Sequence, residues 1–169
     1  MAVAESVPAG QLADELEHIG IRWVVSIPDT HQKSLIAELE ARIALRVLTC
    51  STEDEGVTIS AGLYLGGQDA VLMIQHAGLF ACVNNLRGVP MDGKIPLFMM
   101  IGLLSREPEL TPRESRSSMV RLAEDQLNLL GIPYRLVEGP TDLPALSEMF
   151  ALSRSRLGAA AVLIGRETA

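Results

Sequence analysis

Cysteine is scarce in this chain: only Cys50 and Cys82 occur, and they form no CxxC pattern. A disulfide framework and a zinc site of the paired-cysteine kind are therefore excluded as readings, and both thiols are expected to be reduced and buried. Basic residues are also few, 14 Lys and Arg against 21 Asp and Glu, which gives a net charge of −7. That is the wrong sign for a surface that binds phosphate backbone or anionic lipid, so neither nucleic acid nor a membrane is an expected partner. No run of 18 apolar residues is free of charge, which excludes a membrane-spanning helix. Met1–Gly10 lacks a basic start followed by an apolar stretch, so no secretory leader is expected and the cytoplasm is the expected compartment. Neither GxGxxG nor GxxxxGK[ST] follows any apolar run, which disfavours a self-contained nucleotide site. No His, Cys and carboxylate spacing argues for a metal held by this chain.

What is present is a repeated alternation. Leu12, Leu16 and Ile19 share one helical face and Gly20 supplies a stop, after which Arg22–Ile27 reads as a buried strand closed by Pro28. The pattern continues with a helix through Leu35, Ile36, Leu39 and Ile43, a strand over 45–50, a helix over 53–65 and a strand over 70–74. A helix over 79–89, a strand over 96–101, a helix over 119–130, a strand over 134–137, a helix over 143–157 and a strand over 160–164 complete it. Met73, Met99 and Met100 fall on strands and are expected to fill the core. Strands that are apolar throughout, separated by helices, predict a single α/β domain over 1–169. Its expected form is a doubly wound, six-stranded, mainly parallel sheet with helices on both faces.

In such sheets ligands bind beyond the carboxyl ends of the strands, which directs attention to Pro28–His31, Ser51–Gly56, Gln75–Gly78 and the loop from Gly102 to Ser117. Thr52–Glu55 opens a helix, where acidic side chains meet the positive end of the dipole. With Thr52 as N-cap, Glu55 at the third position completes a capping box. Glu53 is not needed for that box and can project toward the crevice, although acidic first turns are common on ordinary helices. Asp29 reads equally as an N-cap of the next helix, in competition with Thr30, or as a residue bordering a ligand. His31 reads as a first-turn residue. His76, at a strand end, can titrate near neutrality and touch a ligand, or be satisfied by a backbone carbonyl. Arg106, Arg113 and Arg116 suit an anionic group, yet Glu107, Glu109 and Glu114 between them fit a solvated loop as well.

The run Thr52–Gly67, with Ala61-Gly62 its most specific part, followed by Gln75-His76-Ala77-Gly78-Leu79, resembles the pyrimidine-binding domain of thiamine-diphosphate-dependent 2-oxo acid decarboxylases. The likeness is greatest to the alpha subunit of sulfopyruvate decarboxylase and the matching part of phosphonopyruvate decarboxylase, and it covers nearly the whole chain. The resemblance implies that a glutamate at this helix start, Glu53 by spacing from Ala61-Gly62 and otherwise Glu55, bonds the pyrimidine nitrogen of the cofactor and so promotes deprotonation of the thiazolium carbon. It implies further that Gln75 and Gly78 touch the cofactor and that Asp29 and His76 face the substrate, a small 2-oxo acid. Phe80 would narrow the pocket, and Asn84 and Asn85 would serve packing or a subunit contact. The Arg106–Arg116 loop departs from the arginine-glycine pattern of these enzymes, so the resemblance implies the class of acid and not the particular 2-oxo acid.

No Gly-Asp-Gly occurs; Met91-Asp92-Gly93 lacks the first glycine. The resemblance therefore implies half an active site. Magnesium and the diphosphate would be held by a separate beta subunit, in an alpha2beta2 or larger assembly. Two other functions fit the same fold: a noncatalytic binding or regulatory module, and a subunit of a thiamine-dependent carboligase.

Overall fold

The computed structural model describes residues 6–169; residues 1–5, the start of the segment read for a leader, lie outside them. Six strands form one sheet: β1 (Trp23–Ser26), β2 (Arg46–Thr49), β3 (Ala70–Gln75), β4 (Leu97–Gly102), β5 (Tyr134–Val137) and β6 (Ala159–Ile164). Their order is β2-β1-β3-β4-β6-β5, and every pairing is parallel. Seven α-helices connect them: α1 (Ala9–His18), α2 (Lys33–Glu40), α3 (Glu53–Leu65), α4 (His76–Ala81), α5 (Val83–Leu86), α6 (Ser118–Leu129) and α7 (Pro144–Arg156). The expected doubly wound α/β fold is the observed one.

Alternation along the buried strands divides the core in two. Val71 and Met73 of β3, with Phe98 and Met100 of β4, point to the layer of α1, α2 and α7. Leu72, Ile74, Met99 and Ile101 point to the layer of α3, α4, α5 and α6. Each strand side chain thus meets a helix on its own face, as right-handed crossovers require. Phe98 packs edge-on against Phe150 of α7, with ring centroids 5.9 Å apart. On the other face α3 lies so close to the sheet that a Cβ on Gly56 would come within 2.7 Å of Leu72 Cδ1.

The helix expected over 79–89 differs. It starts earlier, at His76, because β3 runs into it without a turn and Gln75 is both the last strand residue and the N-cap. It then breaks at Cys82 and ends in a π-helical turn, Arg87–Asp92, around Pro90. Proline has no N–H to continue the α pattern, and the chain closes instead with Gly93 N–H donating to the Gly88 carbonyl at 3.0 Å. Both cysteines are buried and free.

Candidate functional site

The strand order reverses at β1, with β2 on one side and β3 on the other, and the crevice of a doubly wound sheet opens there. The loop after β1 carries Asp29, which is only 5% exposed. Its Oδ1 accepts from the His31 backbone N–H at 2.8 Å and from Gln75 Nε2 at 2.7 Å, across the crevice. Its Oδ2 accepts from Gln32 Nε2 at 2.8 Å. The carboxylate is thereby held in one orientation by a turn and a cross-crevice bond. This corrects the N-cap readings: neither Asp29 nor Thr30 caps α2, whose N-cap is Gln32 without a side-chain cap bond.

His31 lies outside α2, which corrects its first-turn reading, and is buried. Its Nε2 donates to the Ile164 carbonyl at the end of β6, 2.9 Å away, and Nδ1 has no partner. The loop can lie this low over the sheet because β4 ends in glycine. A Cβ on Gly102 would stand 2.9 Å from Asp29 Oδ2, 3.1 Å from Gln32 Nε2 and 3.1 Å from His31 Cδ2. Gln32 is fully buried, and its Oε1 has no donor. An unpaired acceptor in that position costs on the order of 1–3 kcal/mol.

His76 is buried beside this cluster, with Nδ1 unpartnered. Its pKa is lowered first by burial and then by the charge of His31, with Asp29 acting in the opposite direction. The side chain is thus held toward the neutral form.

The second acidic residue of the site is Glu53, the first residue of α3. A Cβ on Gly78 would come within 2.2 Å of Glu53 Cγ and 2.6 Å of both Cδ and Oε1, so the glutamate stem and carboxyl rest directly on the Gly78 backbone. The Gln75–Gly78 segment therefore touches both acids: Asp29 through the Gln75 side chain, and Glu53 through the bare Gly78. The expected capping box is not formed. The Thr52 side chain makes no cap bond, and its hydroxyl beside Asp54 holds that carboxyl below its ordinary value. Glu55 reaches one residue further back, its Oε2 accepting from the Ser51 N–H at 2.8 Å. Asn85 Nδ2 donates to the Asp54 carbonyl at 2.9 Å, tying α5 to the first turn of α3. The Cys82 thiol is pushed up to about 12, mainly by burial, with the charges of Glu53 and Asp54 adding.

The arginines of the long loop do not converge on one point. The Arg106 side chain is 3% exposed, pairs with Glu138, and donates to the carbonyls of Gly165 at 3.2 Å and Leu110 at 3.1 Å. Arg113 pairs with Glu124 at 3.1 Å and Asp125 at 3.0 Å on the surface of α6. Two open clefts flank the Asp29 loop. One, of about 270 Å³, is lined by Ser26, Asp29, Lys33 and Thr49. The other, of about 360 Å³, is lined by His31, Ser105, Arg106 and Arg166. Among the described residues no group of three or more His, Cys, Asp or Glu could hold a metal, and no helix is long and apolar enough to cross a membrane.

Sequence reasoning missed Gln32 and Gly102 and undervalued His31. Gly102 had a visible signal, a glycine closing an apolar strand, whereas nothing local to Gln32 distinguishes it from a surface residue of a helix start.

These features define a doubly wound α/β domain whose strand-end crevice joins a buried aspartate to a glutamate seated on glycine. No family model matches the chain. It is nevertheless similar to decarboxylases over most of its length. It is 27% identical over 162 residues to the sulfopyruvate decarboxylase subunit alpha of Methanothermobacter thermautotrophicus, covering 95% of this chain and 94% of that subunit. Against the subunit alpha of Methanococcus maripaludis identity is 28% over 116 residues, 68% of each chain. Against the phosphonopyruvate decarboxylase of Streptomyces viridochromogenes it is 27% over 151 residues, 89% of this chain but 37% of that enzyme. The likeness expected from Thr52–Gly67 and Gln75–Leu79 is therefore present across the chain.

Proposed function

We propose that this chain is the alpha, pyrimidine-binding subunit of a heteromeric, thiamine-diphosphate-dependent 2-oxo acid decarboxylase, a carboxy-lyase active only with its partner. The observation that carries the proposal is the seat of Glu53 on Gly78 at the strand-end crevice. A carboxyl group that must meet a flat ring nitrogen needs a fixed stem and a face free of neighbouring side chains. Gly78 supplies the free face, since any Cβ there would occupy the carboxyl's place, and the first turn of α3 sets where the stem begins. The residues present therefore fit the cofactor's pyrimidine half, with Glu53 at the ring nitrogen and Gln75 and Gly78 along the same wall.

When bound, thiamine diphosphate supplies the nucleophilic carbon that adds to the 2-oxo group and the sink for the electron pair left by CO2. This chain's part is narrower. Glu53 holds a proton at the ring nitrogen. Asp29, fixed by three donors, and His76, held toward its neutral form, face the substrate, where each can orient or exchange a proton. Magnesium and the diphosphate fall to a beta subunit. Support for that division comes from coverage: the chain matches 94% of a protein named as a subunit, but 37% of a phosphonopyruvate decarboxylase. An alpha2beta2 or larger complex in the cytoplasm, acting on a sulfopyruvate- or phosphonopyruvate-like acid, completes the proposal.

The test is to purify the chain with whatever accompanies it, identify a partner bearing Gly-Asp-Gly, and assay the complex for cofactor binding and 2-oxo acid decarboxylation. Glu53→Gln should leave assembly intact and abolish turnover. Wild-type turnover in that variant, or a complex that never binds thiamine diphosphate, would overturn the assignment.

A further inference from the structure

Gln32 lies in no motif and was not a candidate from the sequence, yet its side chain is fully buried and donates to Asp29 Oδ2. We propose that Gln32 is a positioning residue that, with Gln75, sets the direction in which the Asp29 carboxylate faces the substrate; the proposal rests on the reading that Asp29 borders the substrate.

The geometry is a clamp with one jaw on each oxygen. Gln32 Nε2 donates to Oδ2 at 2.8 Å while also lying 3.3 Å from the Ile74 carbonyl, which anchors it to β3. Gln75, the next residue of β3, donates to Oδ1 at 2.7 Å, beside the His31 backbone N–H at 2.8 Å. The terminal torsion of an aspartate is broad and ordinarily free, and two donors on different oxygens remove that freedom. Gly102 lies directly beneath the pair, where a Cβ would stand 2.9 Å from Asp29 Oδ2 and 3.1 Å from Gln32 Nε2.

Two features separate this from simple loop packing. An N-cap position favours a short polar side chain that bonds the helix's own N–H groups, and Gln32 occupies it without making such a bond. Gln32 also buries an Oε1 that nothing satisfies, an arrangement that packing alone would not select. Both costs are explained if reaching Asp29 is what the residue is for.

The test uses the assembled complex and three variants, Gln32→Met, Asp29→Ala and the double variant. Gln32→Met keeps the shape and removes the donor. It should lower kcat by about tenfold or more with KM changed by less than about threefold, as expected for a misaimed group rather than lost binding. In the double variant the loss should be no greater than in Asp29→Ala alone. A second readout needs no turnover: the Gln75 side-chain amide resonances of the ¹⁵N-labelled full chain should shift in Gln32→Met, because the carboxylate, without its Oδ2 donor, turns and alters the geometry of its bond to Gln75. Wild-type turnover in Asp29→Ala would show that the reading of Asp29 has failed. A slow Asp29→Ala with an unaffected Gln32→Met, multiplicative losses in the double variant, or unmoved Gln75 resonances would overturn the proposal alone. Should Gln32→Met not assemble, Gln32→Asn, whose amide is too short to reach Oδ2, serves the same comparison.

Discussion

Replacing Gly78 by alanine should separate the stability of this fold from the working of its site. The added Cβ would lie 2.2 Å from Glu53 Cγ, and ordinary contact begins near 3.4 Å, so the glutamate must retreat by about 1.2 Å. Glu53 is the first residue of α3 and half-buried, so its stem can turn outward to water. That movement costs on the order of 0.5–1.5 kcal/mol in rotamer strain. Against it, alanine gains up to about 1 kcal/mol over glycine inside a helix. The two nearly cancel, and a net change within about 1 kcal/mol moves the midpoint of thermal unfolding by no more than about 4 °C in a chain of this size. The site fares worse: a carboxyl displaced by more than 1 Å is expected to lose about a hundredfold in turnover. Thermal unfolding of the chain, together with cofactor binding and decarboxylation by the complex, measures both effects. Wild-type turnover would refute the importance of the Glu53 seat. A fall in midpoint beyond about 10 °C would refute the claim that Glu53 is free to move.

His76 should make the fold acid-sensitive. Its pKa is depressed from 6.5 in the folded chain, so the stabilisation it contributes is present above that value and is lost as pH falls through the folded pKa. Unfolding free energy should drop below pH 6.5, and His76→Gln should flatten that slope in urea melts; an unchanged slope would assign the effect elsewhere. Gly56→Ala drives a Cβ to 2.7 Å from the fully buried Leu72 and should cost about 1–3 kcal/mol by overpacking, read as a lower urea midpoint. Glu138→Ala leaves the Arg106 guanidinium, 3% exposed, without its carboxylate and should cost about 3 kcal/mol, whereas Glu138→Gln, which can still accept a hydrogen bond, should cost less.

Much of the architecture was legible because it follows from local pattern. The limits of α3 and β5 coincide with those expected from the apolar spacing, and the other strands agree within a residue or two. Side-chain alternation and helical spacing are properties of neighbouring residues, so they survive whatever the rest of the chain does. The same holds for Glu53, whose place at a helix start beyond an apolar strand could be read directly. Where a competing local device overrode the pattern, the reading failed: Pro90 and the direct junction of β3 with α4 reshaped the segment expected as one helix.

The site itself was decided by contacts between distant parts of the chain. Asp29 meets Gln75 across 46 positions, and His31 meets the Ile164 carbonyl across 133. No periodicity encodes such pairs, because they exist only once the parallel sheet has brought β1, β3, β4 and β6 to a common edge. Gly78 and Gly102 were visible as glycines, but their reason, room for Glu53 and for the Asp29 loop, came with the tertiary structure. The capping alternative for Asp29, one of two equal readings, gave way on the same grounds. A carboxylate enclosed by three N–H donors in a buried crevice gains more there than at an exposed helix end, where water would satisfy it as well. Local order thus selected the elements and the fold class, and burial at the strand ends selected which polar side chains meet.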